Sequence, residues 1–126
     1  MITKIIAQLK LGTITNVVPY GTKPLPAAPY VVVKPEIDGL GVGRGFRIII
    51  HMLPGQIIAL EDYRNITIPA LLLDFTTTTV LDRHNRSQIL IRQPDDNEIV
   101  TSNDDNTISL ECLYLQPTLN FMTKGE

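Results

Sequence analysis

The chain has one cysteine, little excess of charge in either sign and no long apolar run, and each shortage removes a class of protein. A single thiol, Cys112, forms no internal disulfide, so the fold is not a cysteine-stapled scaffold and suits a reducing compartment. Eleven basic against 13 acidic side chains leave a formal charge of -2, which draws the protein neither to nucleic acid nor to an anionic membrane. The opening residues Met1 to Gly12 are broken by Lys4, Gln8 and Lys10, a pattern of neither a signal peptide nor a membrane span. Without a secretory signal, the sequons at Asn65 and Asn85 read as chance matches. No internal repeat or domain-scale linker occurs.

What is present is the composition of one folded domain: 126 residues, 44% hydrophobic and 19% charged. Ile2, Ile5, Ile6 and Leu9 recur at helical spacing and predict an N-terminal amphipathic helix ending near Gly12. Residues 17–29 carry Pro19, Pro24, Pro26 and Pro29, which remove backbone donors and predict an extended, proline-rich arm. Tyr30–Val33 and Phe46–Met52 are β-branched or aromatic runs, and Gly39, Gly41, Gly43 and Gly45 punctuate the stretch between them. That pattern predicts a β-hairpin with a long glycine-rich tip at 36–45.

Pro54-Gly55 marks a turn. Leu60, Tyr63, Ile66 or Thr67, and Ala70 or Leu71 then keep roughly helical spacing through Asp74, with Pro69 expected to kink the helix and push Ile68 toward extended backbone. Thr76–Val80, Ser87–Gln93, Glu98–Ser102 and Thr107–Gln116 read as strands closing a meander, with turns at Pro94–Asn97 and Asn103–Asn106. The sum is an α+β domain spanning 1–126: an antiparallel β-sheet with the N-terminal helix and a second central helix packed on one face, and a long hairpin loop.

No motif assigns chemistry. The run Gly39 to Gly45 lacks the third glycine of a dinucleotide fingerprint, since Arg44 stands there, and a strand rather than a helix follows it, so no helix dipole faces a phosphate. A hairpin tip that orders against a partner accounts for the same residues and makes Leu40, Val42, Arg44 and Arg47 contact residues. His51, His84 and Cys112 supply the types of a nucleophile and its base without spacing that brings them together, and a strand cysteine flanked by apolar residues reads as inert. The two histidines have neither i, i+4 spacing nor a second cysteine, so no metal ligand set is expected. Neither a catalytic residue nor a cofactor site is expected, and the chain reads as a non-enzyme. Asp95, Asp96, Glu98, Asp104 and Asp105 form an acidic edge of ordinary turn formers without the glycine and terminal glutamate of a calcium loop. Arg83, His84, Arg86 and Arg92 make the one basic cluster, suited to a phosphate or to a neighbouring carboxylate but lacking aromatics that would stack bases.

The order of an N-terminal helix, a strand pair with a long tip from Tyr30 to Met52, a helix of the form Leu60-Glu61-Asp62-Tyr63 running to Pro69-Ala70-Leu71-Leu72, and a C-terminal run of strands resembles the small neck and tail-completion, or tail-terminator-like, proteins of tailed bacteriophages. The resemblance implies a structural virion protein assembled in the host cytoplasm as a homo-oligomeric ring, commonly sixfold, at the head-tail junction or tail end. Its implied partners are connector and tail-tube proteins, with DNA passing through the lumen without sequence-specific binding and no membrane involved. Pro24, Leu25 and Pro26 of the arm, the tip residues above, and Arg83 and Arg86 are the expected partner contacts. The competing expectation is a small nucleic-acid or protein binding module.

Overall fold

The computed structural model describes residues 2–37, 43–77, 80–81, 87–95 and 97–117. Helix α1, Ile2–Leu9, forms where the helical periodicity places it and buries Ile5 and Leu9, with Ile2 and Ile6 packed beside them. Each fully buried aliphatic side chain contributes about 1.5–3 kcal/mol relative to exposure. The helix unwinds through short turns from Leu11 N–H to Gln8 and from Gly12 N–H to Leu9. A Cβ on Gly12 would stand 2.6 Å from the Tyr63 hydroxyl and 2.9 Å from Leu71 Cδ1, so the bare backbone lets the chain pass close against the central helical segment. Ile14 N–H then donates to the Tyr63 hydroxyl at 3.3 Å.

Five strands make the main sheet: β1 (Val17–Pro19), β2 (Tyr30–Ile37), β3 (Gly43–Met52), β6 (Ile91–Arg92) and β7 (Ile108–Pro117), in the order β1-β2-β3-β7-β6. A separate two-stranded pair joins β4 (Val80–Leu81) to β5 (Ser87–Gln88). All neighbours in the main sheet run antiparallel except β1, which lies parallel to β2. Period-two alternation sends Val31, Val33, Ile48, Ile50, Leu110, Cys112 and Tyr114 into the core shared with α1 and the central helices. Tyr30, Val32, Arg47, Ile49, His51 and Glu111 consequently occupy the opposite face. The expected α+β domain, with its helices on one face of the sheet, is what forms.

Several local expectations differ. The hairpin ladder pairs Pro35 with Phe46, Glu36 with Gly45 and Ile37 with Arg44, so strand extends into both ends of the tip; Leu40 and Val42 lie outside the described residues. Gly45 is required by its position: a Cβ there would overlap the Tyr114 carbonyl oxygen and stand 2.7 Å from Leu115 Cα. Pro35 lies past the end of the β1 ladder, which stops at Pro19 opposite Val33, and on that outer edge it offers no N–H. The arm folds back instead of extending away. Val17 is buried, Val31 N–H donates to Asn16 and Tyr20 N–H to Val33, and Thr22 turns onto the Pro19 carbonyl, with Gly21 at φ +93°.

The central helical segment is not uniform: α2 (Ile57–Asp62), a π-turn over Tyr63–Thr67 and α3 (Ile68–Leu71) run on without a break, and Leu72, at φ -97°, ψ 13°, separates them from α4 (Leu73–Thr77). Its buried positions are Leu60, Tyr63, Ile68, Leu72 and Phe75, with a five-residue step from Tyr63 to Ile68 that an α-helix would rotate out of register. The π-turn absorbs the extra residue, with Ile68 N–H donating to Tyr63 C=O. Ile68 is helical (φ -60°, ψ -48°), not extended, because burying Ile68, Leu72 and Phe75 outweighs the local preference before Pro69. The helical segment runs past the expected end at Asp74, so Thr76 and Thr77 are helical where a strand was expected, and of Glu98–Ser102 only Val100 pairs, with Ser109. The second half is therefore no simple meander: β7, apolar along its inward face, inserts between β3 and β6.

Candidate functional site

The sheet face away from the helices carries the most developed surface feature. The folded arm stands over it and encloses a largely apolar cleft of about 470 Å³, walled by Tyr20, Gly21, Thr22, Lys23, Pro24 and Leu25 and floored by Val32, Ile49 and His51. Tyr20 and Leu25 are exposed, and Lys34 Nζ sits 4.9 Å from the Tyr20 ring centroid, holding a cation at the cleft side. Pro24 and Leu25, expected as contacts, thus belong to a formed concavity; Pro26 is half-buried beside them.

Beneath the cleft a polar chain fixes His51. The imidazole stacks on Tyr30 at 4.4 Å with 9° between the rings, the two residues being directly opposite in the β2–β3 ladder. Tyr30 donates its hydroxyl hydrogen to Asp105 Oδ2 at 2.5 Å and Thr107 donates to Oδ1 at 2.6 Å. With the Thr107 proton committed, the 3.0 Å contact between His51 Nδ1 and Thr107 Oγ1 requires Nδ1 to be the donor. The neutral ring therefore keeps Nε2 as its acceptor on a residue that lines the cleft. Burial lowers the His51 pKa, against the pull of Asp105. The hydrogen bonds from Thr107 and Tyr30 lower that of Asp105. Burial and the Asp105 hydrogen bond raise that of Tyr30. Asn103 ties the loop down by donating to Thr107 C=O at 2.9 Å and Ser109 Oγ at 3.0 Å.

Among the described residues, the hydroxyl in contact with this imidazole is that of Thr107, whose proton is already given to Asp105. Cys112 projects from the other face of the sheet, is 1% exposed, and burial pushes its thiol up to about 12. His84 lies outside the described residues. Among the described residues no group of three or more His, Cys, Asp and Glu side chains is placed to hold a metal ion, and no helix is long and apolar enough to cross a membrane.

The remaining expected contacts fall in different places. Arg47 is not at the hairpin tip but in mid-strand, where its guanidinium donates to Glu36 at 2.8 Å and to Glu111 at 2.7 Å; the Glu36 bond chiefly raises its pKa. Asn97 joins the same cluster by donating to Glu111 at 3.2 Å. The backbone of Arg44 pairs within β3, while Arg83 and Arg86 lie outside the described residues. Arg92, of the same basic cluster, is engaged: it donates to Asp95 at 2.6 Å, to Arg64 C=O at 3.0 Å and to the Tyr114 hydroxyl at 3.3 Å. Tyr30, Asp105 and Thr107 were missed by sequence reasoning. The hairpin register held part of the signal, because pairing Tyr30–Val33 against Ile48–His51 puts Tyr30 opposite His51.

A second surface lies on the helical side. Ile57, Ile58, Ile66 and Leu73 are exposed on the central segment, Ile58 at 76%, while Leu60, Tyr63, Ile68 and Phe75 fill its inward face. Glu61 and Asp62 are exposed one turn beyond Ile57 and Ile58. The class that these features define is an α+β domain with apolar surfaces on both of its layers. No protein-family model, curated protein or solved structure matches the chain.

Proposed function

We propose that this chain works by assembly, as a structural subunit of a homo-oligomeric ring at the neck or tail end of a tailed virus. The virion part rests on the resemblance of its element order to tail-completion proteins. The assembly part rests on one observation: large apolar side chains are exposed on both layers, Leu25 and Tyr20 over the sheet and Ile57, Ile58, Ile66 and Leu73 over the helices. Scattered single exposures need no explanation, but apolar exposure over both layers, with a formed apolar cleft on one of them, is characteristic of surfaces that bury one another. Connector and tail-tube proteins are the further partners on this reading, and the ring lumen passes DNA without reading its sequence.

Native mass across a concentration series, with negative-stain imaging of particles from the source, tests both parts. A closed ring together with localisation to a virion neck or tail end supports the reading. A monomer at all concentrations that joins no particle refutes it.

A further inference from the structure

The two apolar surfaces differ in charge as well as position. Of the ionic groups at the cleft, Lys34 at its side lies 3.9 Å from Glu36, whereas Lys23 in its wall has no ion-pair partner among the described residues. Around the exposed isoleucines of α2 the neighbouring ionic groups are Glu61 and Asp62. Positions 57 and 61, and 58 and 62, are i, i+4 pairs, so both acids share a face with the isoleucines. One surface is a concavity with an unpaired wall lysine over a mostly apolar floor; the other is a helix with exposed isoleucines and acidic groups.

We infer that the cleft receives α2 of a second copy of this chain, with Ile58 entering against Leu25 and the Val32–Ile49 floor while Glu61 faces Lys23. The inference rests on the assembly reading above and names its interface. The unpaired Lys23 and the acids of α2 are opposite in charge, whereas two α2 faces brought together would oppose acid to acid. Because the cleft and α2 lie on opposite layers of the sheet, the contact is heterologous: each copy offers a different surface to each neighbour, and repetition closes a ring or extends a filament. The aliphatic side chains supply the buried centre and the ion pair sets orientation and rim.

Two variants separate this interface from the assembly reading itself. Ile58→Asp disables the helix surface and Leu25→Asp the cleft, and both sites are exposed, so far-ultraviolet circular dichroism should match wild type. Each variant alone should lose at least about thirtyfold in self-association, as expected for a central apolar contact. Mixed in equal amounts, they should form a one-to-one dimer, since each retains the surface that the other lacks. Reversing Lys23 to Glu should weaken wild-type assembly about two- to fivefold, with recovery in the Lys23→Glu, Glu61→Lys double variant. A wild-type ring that persists in both aspartate variants, or variants that dissociate yet fail to pair on mixing, would overturn the interface while leaving the ring. A wild-type chain that remains monomeric removes both.

Discussion

Replacing Gly45 with alanine adds one methyl group where β3 lies against the backbone of β7. The new Cβ would overlap the carbonyl oxygen of Tyr114 and lie 2.7 Å from Leu115 Cα and 2.8 Å from Tyr114 C, all backbone atoms held in a ten-residue ladder. No rotamer change relieves the contact, so the strands must separate locally and lengthen their hydrogen bonds. Overpacking of a well-packed site costs typically 1–3 kcal/mol, and the involvement of backbone on both sides puts the expected loss at about 3 kcal/mol. For a domain of this size that lowers Tm by roughly 10 °C. Urea unfolding followed by far-ultraviolet circular dichroism should show a lower midpoint at unchanged slope. The sign is decisive, because an unhindered glycine-to-alanine change stabilises by about 0.4–1 kcal/mol through the unfolded chain. Gly12→Ala provides the comparison: its Cβ meets the ends of Tyr63 and Leu71, which can shift, so the loss should be smaller. A Gly45→Ala variant as stable as wild type would refute the close approach and the β3–β7 register with it.

Further outcomes follow from the polar chain under the cleft. His51 has its pKa lowered from 6.5 chiefly by burial, so below pH 6.5 the unfolded chain takes up a proton that the folded chain resists; stability should fall as pH drops through that window, and His51→Gln should flatten the decline in urea midpoint. Asp105, lowered from 3.8 by its hydrogen bonds from Thr107 and Tyr30, adds a second loss at more acid pH. Tyr30→Phe removes a hydrogen bond to a carboxylate, expected to cost about 1.5–3 kcal/mol in chemical denaturation. Because the Tyr30 pKa is raised above 10.0, wild type should also lose stability as pH rises beyond that value, and the variant should lack this alkaline decline. Cys112, buried and with its thiol pushed up to about 12, should react with a thiol reagent at the rate of unfolding rather than at that of an exposed cysteine.

Local periodicity made much of the fold legible. Ile2, Ile5, Ile6 and Leu9 announce α1, and the alternation of Leu110, Cys112 and Tyr114 announces the inward face of β7, because each pattern is written within ten residues. The π-turn was not legible: a regular helical template carries burial from Tyr63 to position 66 or 67, and only packing of Ile68 against the sheet selects the five-residue step. The insertion of β7 between β3 and β6 is likewise set by pairing across more than fifty residues, on which local pattern is silent. Asp105 reads as a turn residue, and Asn106 beside it does take the turn-type φ of 60°. What sequence could not convey is that this turn delivers its carboxylate to a tyrosine 75 positions earlier. The arm's prolines suggested reach, while the hydrogen bonds of Asn16 and Tyr20 to β2, and of Thr22 to the Pro19 carbonyl, fold it into a wall of the cleft.

Pro35, at the outer margin of β2, has a bearing on what sort of material this protein can make. Past Pro19 the margin presents a residue with nothing to donate, and among the described residues the opposite margin carries the two-residue β6 and the single Val100–Ser109 bridge. Neither side is a good template for an incoming strand. Copies that accumulate in a crowded cell are thereby steered away from amyloid-like stacking, in which backbone pairs with backbone regardless of sequence. Their contacts must instead be made by side chains, which can be selective for one neighbour and reversible until the right one arrives.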